Sequence, residues 1–261
     1  QEVPIDQRAA QVAYRVFNAE RRDWPFPHAI FDTVLPDDLF RALRSIPLEN
    51  AVAPAPEAAS GKAASEIHRH SVSVSLETVD TDPDLDPLFR YTYRVLSHPL
   101  SVRALSRFFG RDLVAAFGRT DLPLSSTMLM VEDRTGYALL PHTDVPHKAV
   151  TLLLYLAEEG ADPSLGTELY VPAPGVSLTG SYPMRGRFQR SPFLRVATAP
   201  YRPNAGLMFA PSTKSFHGVK EVVGDNRTRR LLQFQLLVND PAIRRVDDDR
   251  APSGQGAPTT P

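Results

Sequence analysis

The spacing of apolar and polar positions changes along the chain, and the change divides it. Residues 5–22 put Val12, Val16 and Phe17 on one side and charged Arg and Glu on the other, the spacing of an amphipathic helix. Pro25 and Pro27 end that helix and force an extended segment into His28-Ala29-Ile30-Phe31. A second helix is expected from Pro36-Asp37-Asp38, with proline at its start and acids where the helix dipole favours them. Its apolar stripe is Leu39, Phe40, Leu43 and Ile46, and Pro47 stops it. Two more helices are expected over 86–97 and 99–109, the second closed by Gly110.

From residue 112 the period becomes two. Residues 113–117, 126–131, 149–156, 166–172, 205–210 and 226–236 read as short strands, joined by an earlier alternating stretch at 71–76. Asn204-Ala205-Gly206 reads as a turn leading into one of them. Helices first and short strands afterwards predict a mainly β fold with flanking α. The core is then a double-stranded β-helix (jelly roll, cupin-like) with N-terminal helices. The organisation this implies is an N-terminal helix over 1–22 and a single domain over 23–240 with its core at 112–238. A Pro/Gly/Ser/Thr-rich tail over 241–261 is expected to be disordered. Residues 51–65, low in complexity and in large apolar groups, are expected to form a mobile loop, either a lid or an idle insertion.

The strand region carries the chemistry. In Leu140-Pro141-His142-Thr143-Asp144 the histidine and the aspartate are two apart, so an extended strand sends both side chains from one face. A third ligand must come from elsewhere, and His217, in Ser215-Phe216-His217-Gly218-Val219 after another apolar strand, is the candidate. Two imidazoles and one carboxylate form the facial triad that holds Fe(II) in non-haem oxygenases and leaves positions open. The rival pair is His68 and His70, which also share a strand face, but no carboxylate follows at ligand spacing. His70 is better placed as pocket lining.

These stretches, with Asn226-Arg227-Thr228-Arg229-Arg230 opening a strand past His217, resemble the 2-oxoglutarate/Fe(II)-dependent dioxygenases. Trp24-Pro25-Phe26-Pro27-His28-Ala29-Ile30-Phe31-Asp32 and Leu35-Pro36-Asp37-Asp38-Leu39 resemble the entry of the prolyl-hydroxylase-like branch. The resemblance implies Fe(II), 2-oxoglutarate as cosubstrate and O2. It implies oxidative decarboxylation to succinate and CO2, with hydroxylation of an unactivated C–H in a small or peptide-like substrate. No protein acid or base beyond the metal centre is required. Asp144 argues against halogenation, which leaves the carboxylate position open for halide.

The distal carboxylate of the cosubstrate calls for a guanidinium, which binds two oxygens in parallel. Strand alternation favours Arg229, which shares a mixed face with Leu231, Gln233 and Gln235, over Arg230, which shares an apolar face with Leu232, Phe234 and Leu236. Arg227 has the parity of Arg229 and the commoner family spacing. In the family a hydroxyl assists; Tyr137, Thr151 and Thr167 are candidates. His147 and Lys148 lie near the metal pair in the chain and are candidates for touching substrate. Arg185 and Arg187 belong to a Gly/Pro/Arg-rich stretch that is either a solvated loop or a basic rim for an anionic substrate.

Composition narrows the alternatives. The 261 residues carry a net charge of −1, which gives no pull toward nucleic acid or anionic membrane. No apolar run is long enough to span a bilayer. With no cysteine, disulfides, zinc–thiolate sites and thiol nucleophiles are excluded, and a reducing cytoplasm is the default expectation. The leading Gln suggests a start further upstream, and no secretion-signal pattern precedes the first helix. A cupin-like metal enzyme or a ligand-binding jelly roll that does not use 2-oxoglutarate is the alternative reading. Cupins bring three histidines and a glutamate, and a carbohydrate-binding jelly roll would show more than a single Trp.

Overall fold

The structure, a computed structural model, describes residues 3–47, 68–176, 190 and 192–246. The stretch 51–65, Arg185 and Arg187 lie outside these residues. Helices α1 (Ile5–Phe17), α2 (Asp37–Ser45), α3 (Leu76–Thr81), α4 (Pro87–Leu96), α5 (Pro99–Phe108) and α6 (Gly110–Phe117) come early in the chain. Strands β1 (His28–Phe31) and β2 (Arg69–Ser75) are set among them. β3 (Leu124–Arg134), β4 (Leu139–His142), β5 (Lys148–Leu156) and β6 (Thr167–Pro172) follow. β7 (Phe193–Ala199), β8 (Pro203–Phe209), β9 (His217–Val219) and β10 (Thr228–Val238) complete the described strands. No described helix is long and apolar enough to cross a membrane.

Two antiparallel sheets face each other. The larger runs β1-β8-β5-β10-β3-β2 and the smaller β4-β9-β6-β7. Strand alternation divides the apolar residues accordingly. Val74, Met128, Met130, Leu152, Leu154, Leu232, Phe234 and Leu236 turn outward and pack with Val12, Val16, Leu39, Leu43, Phe89 and Leu105 of the helices. Leu129, Val131, Leu153, Tyr155, Leu207 and Leu231 turn inward and meet Leu169 and Val219 of the smaller sheet. The helices therefore brace the back of the large sheet, and the lumen between the sheets is left for chemistry.

Three local expectations are corrected. Residues 113–117 are helical: Leu113, Ala116 and Phe117 are buried while Val114 is 39% exposed, the i, i+3, i+4 pattern of α6, and Gly118 in the left-handed region (φ 68°) ends it. Gly110 accordingly opens α6 and does not close α5. Asn204 and Gly206 belong to β8: Asn204 takes positive φ within the strand, and its side chain ties the Leu35 amide and carbonyl to the sheet. The tail does not dissolve at 241, because Val246 N donates to Ala116 O at 2.7 Å and Ile243 packs against the helical core.

Candidate metal centre

β4 delivers His142, and β9 pairs with it so that His217 stands directly opposite. Gly218 permits this approach, since a Cβ there would lie 2.6 Å from Leu139 O. The two imidazole centroids are 4.3 Å apart, and the ligand atoms of His142, Asp144 and His217 all lie within 4.8 Å of one another. His142 Nδ1 meets Leu140 O at 3.0 Å and His217 Nδ1 meets Ser215 O at 2.9 Å. A carbonyl can only accept, so each Nδ1 carries the proton and each Nε2 presents a lone pair.

Burial fixes the charge states that a cation requires. Desolvation, reinforced by His217, pushes the His142 imidazole down to about 3 even though part of its edge stays at the surface. Burial lowers His217 as well. Burial pushes the Asp144 carboxyl up, but the Lys148 ammonium and the two imidazoles more than offset this and hold it well below the usual carboxylate range. Lys148 Nζ donates to Oδ1 at 2.7 Å and Thr151 Oγ1 to Oδ2 at 2.7 Å. Two neutral imidazoles and an ionised carboxylate converge, a donor set suited to a divalent transition metal.

The sequence candidates divide around this point. Arg229 is fully buried in the lumen, where Nε donates to Leu165 O at 2.5 Å, Nη1 to Asp133 Oδ2 at 2.7 Å, and Nη2 lies 3.4 Å from Thr167 Oγ1. Tyr137 is also buried, with the Arg69 guanidinium 4.3 Å from its ring centre. Thr167 meets Arg229, whereas Thr151 is committed to the metal carboxylate. Arg227 precedes β10 and lies half-exposed, 3.7 Å from Asp162 and away from the lumen. Arg230 turns to the helical side, where it donates to the carbonyls of Arg44 and Ile46 at the end of α2. His70 is set opposite Glu132 on the outward face of β2, because its neighbour Arg69 takes the lumen side, so it does not line the pocket. His147 is exposed and lines a surface depression with Val238 and Arg244.

The lumen holds three residues that the sequence reading left unassigned. Tyr155 is buried; its hydroxyl donates to Thr167 Oγ1 at 2.8 Å, and the Arg229 guanidinium lies 5.6 Å from its ring centre. The available signal was parity, since Tyr155 is four residues beyond Thr151 on β5 and faces the same way. Asp133 and Arg69 are the others. Asp133 has no exposed surface and accepts from Arg69 Nε at 2.6 Å as well as from Arg229. Burial lowers the Arg69 guanidinium, and Asp133 and Tyr137 raise it above its ordinary value, so it stays charged. Two guanidiniums thus share one carboxylate.

No protein-family model matches the chain, and no curated protein matches it. Solved structures do. A Pseudomonas putida prolyl-4-hydroxylase is matched with 16% identity over 88% of this chain and 98% of that one, at a TM-score of 0.51. The epimerase SnoN, solved with Fe3+, alpha ketoglutarate and nogalamycin RO, is matched with 14% identity over 89% and 84%, at a TM-score of 0.48. HygX from Streptomyces hygroscopicus, with nickel, 2-oxoglutarate and hygromycin B bound, is matched with 13% identity over 81% and 83%, at 0.44. The likeness to the hydroxylase is one of fold, and that fold is the double-stranded β-helix.

Proposed function

We propose that this chain is a non-haem Fe(II)- and 2-oxoglutarate-dependent oxygenase, and that its reaction is hydroxylation of an unactivated C–H bond in a small or peptide-like substrate. The observation that carries the reading is the placement of Arg229, Tyr155 and Thr167 relative to the metal ligands. Leu169 stands opposite His217 in the smaller sheet, and Thr167 is the next lumen position on β6, about 6–7 Å along the strand. A five-carbon dicarboxylate held at one end by the metal has its other carboxylate in that region. Arg229 retains N–H groups not used by Leu165, Asp133 and Thr167, because a guanidinium offers five. Asp133 is shared between Arg229 and Arg69, whose side chain is 24% exposed, so the buried Arg229 has only part of one carboxylate and suits a second.

His142, Asp144 and His217 would hold the iron. Once bound, iron supplies the oxidising chemistry in which O2 and 2-oxoglutarate are consumed, succinate and CO2 are released, and a substrate carbon is hydroxylated. The chain's own residues bind and orient. The two backbone carbonyls aim the imidazoles, Thr151 and Lys148 fix the Asp144 carboxylate, and Arg229 with Thr167 and Tyr155 anchors the tail of the cosubstrate. Leu153, Leu169, Leu207 and Phe209 supply an apolar part of the lumen between the sheets.

The test is an anaerobic titration of metal-free protein with Fe(II) and then 2-oxoglutarate, following the weak visible charge-transfer band of the chelate. A saturable band that His217→Ala abolishes supports the proposal. If Fe(II) binds and no band forms at any 2-oxoglutarate concentration, the protein is a cupin-like metal protein and the arginines serve another end.

A further inference from the structure

The register of the large sheet places a row of uncharged hydrogen-bonding side chains beside the metal ligands. Thr151, whose hydroxyl holds Asp144, is paired with Gln235 on β10; Gln235 is paired with Thr127 on β3, and Thr127 with Ser75 on β2. All face the lumen, because they share parity with Tyr155, Leu231 and Val131 of the inner cluster. Gln233, the next lumen position on β10, stands about 6–7 Å from Gln235 along the strand. Gln235 is only 6% exposed, yet its amide, which bonds to no described residue, is not sealed from solvent. The amide is therefore free to bond a ligand in the lumen without first giving up a protein partner.

The charges of the lumen are committed elsewhere. Lys148 is tied to Asp144, and Arg69 and Arg229 sit on Asp133 at the far end of the same strands. With the remaining N–H groups of Arg229 taken by the cosubstrate, an anionic substrate group finds no free counter-charge among the described residues of this wall. A glutamine amide presents a donor and an acceptor side by side, which matches a group that does the same.

We infer that Gln235 and Gln233, with Thr127, form a substrate subsite for a neutral group carrying adjacent donors and acceptors, either a vicinal diol or a secondary amide. The inference rests on the oxygenase reading above and names the substrate class of that site. It departs from the anionic substrate that the basic stretch around Arg185 and Arg187 suggested.

The experiment uses full-length protein loaded anaerobically with Fe(II) and 2-oxoglutarate. Four probes are compared by competition: methyl β-glucoside for the diol, N-acetylproline methylamide for the amide, and glucuronate and N-acetylglutamate as anionic counterparts. Perturbation of the visible band and saturation-transfer NMR report binding. A neutral probe should bind, and Gln235→Leu should weaken it by about tenfold or more, while the cosubstrate band of that variant persists. The arm that binds tells diol from amide. Tighter binding of the anions, equal binding of a neutral probe to wild type and Gln235→Leu, or no binding of either neutral probe overturns the inference. Absence of the band in wild type strikes at the oxygenase reading instead, and the same probes on Zn(II)-loaded protein then decide the subsite separately.

Discussion

Arg229 donates to Asp133 at 2.7 Å with both side chains buried, and Asp133 is itself shared with Arg69. Leu165, Asp133 and Thr167 hold Nε, Nη1 and Nη2, which leaves one N–H each on Nη1 and Nη2 for the carboxylate proposed above. Arg229→Lys keeps the charge but loses the planar fork and the bond to Leu165 O. It should raise the 2-oxoglutarate concentration needed for half-maximal band formation by at least about tenfold. Arg229→Ala should in addition lower stability, by less than the ~3–5 kcal/mol typical of breaking a buried pair, because Arg69 still neutralises Asp133. Thermal unfolding beside the titration separates the two effects. A lysine variant that binds 2-oxoglutarate as tightly as wild type would remove Arg229 from the site.

Thr151 donates to Oδ2 of Asp144, a candidate metal ligand, although its residue type made it an equal candidate for the cosubstrate. Thr151→Val removes the hydroxyl with little change of shape. Metal affinity should fall by about 10–100-fold, as happens when an outer partner of a ligand is lost. The 2-oxoglutarate affinity of metal-saturated protein should stay the same. Competition with a chromophoric chelator for Co(II) measures the first quantity and band titration the second. The reverse pattern would assign Thr151 to the cosubstrate.

How much of this was legible in the sequence depended on whether a residue carries its own context. His142 and Asp144 announce themselves because a two-residue spacing on a strand already fixes a shared face. Arg229 could be chosen over Arg230 because Leu232, Phe234 and Leu236 mark one parity of β10 as the helix-packed side. Asp133 could not be found so. β3 extends to Arg134, past the apolar run that signals a strand, so the acid's parity is visible only once the register with β10 and β2 is known. Arg227 has the same parity but lies one residue before the strand begins and turns to Asp162, a placement that alternation alone does not show. In α6 five apolar residues in a row fit either period, and only burial shows that Val114 faces out.

Tyr155 differs from Asp133, because it lies within the apolar run of β5 and its parity with Thr151 could be counted from the sequence. Its hydroxyl donates to Thr167 Oγ1 at 2.8 Å and accepts from Thr167 N at 3.1 Å, so it orients the threonine that faces Arg229. Tyr155→Phe preserves the ring beside Arg229 and deletes the hydroxyl. Stability should drop by about 1–3 kcal/mol, since the buried Thr167 amide loses its acceptor. The 2-oxoglutarate affinity should weaken several-fold while Fe(II) affinity stays unchanged. Unchanged 2-oxoglutarate binding would leave Tyr155 a purely structural residue.

The metal-free protein should be labile to acid in a window set by its buried histidines. Burial first, and His217 second, lower His142 to about 3, and burial lowers His217 and His28. In the unfolded chain all three titrate near 6.5. Between about pH 6.5 and 3 the unfolded chain therefore binds protons that the folded chain refuses, so stability falls as pH falls. The contribution of these groups is complete above about pH 6.5 and is lost progressively toward 3. Asp144, held low by Lys148 after burial has pushed it up, adds to the loss only in stronger acid. The melting temperature of the metal-free protein should thus decline steadily from pH 7 to about 4, and His142→Gln should flatten the decline. A divalent metal added at neutral pH should raise the melting temperature by mass action, and less so in acid, where protons compete for the unfolded chain's imidazoles and for the ligands themselves. Parallel curves for wild type and His142→Gln across this range would mean that His142 is solvated in solution, and the neutral-imidazole basis of the metal site would have to be given up.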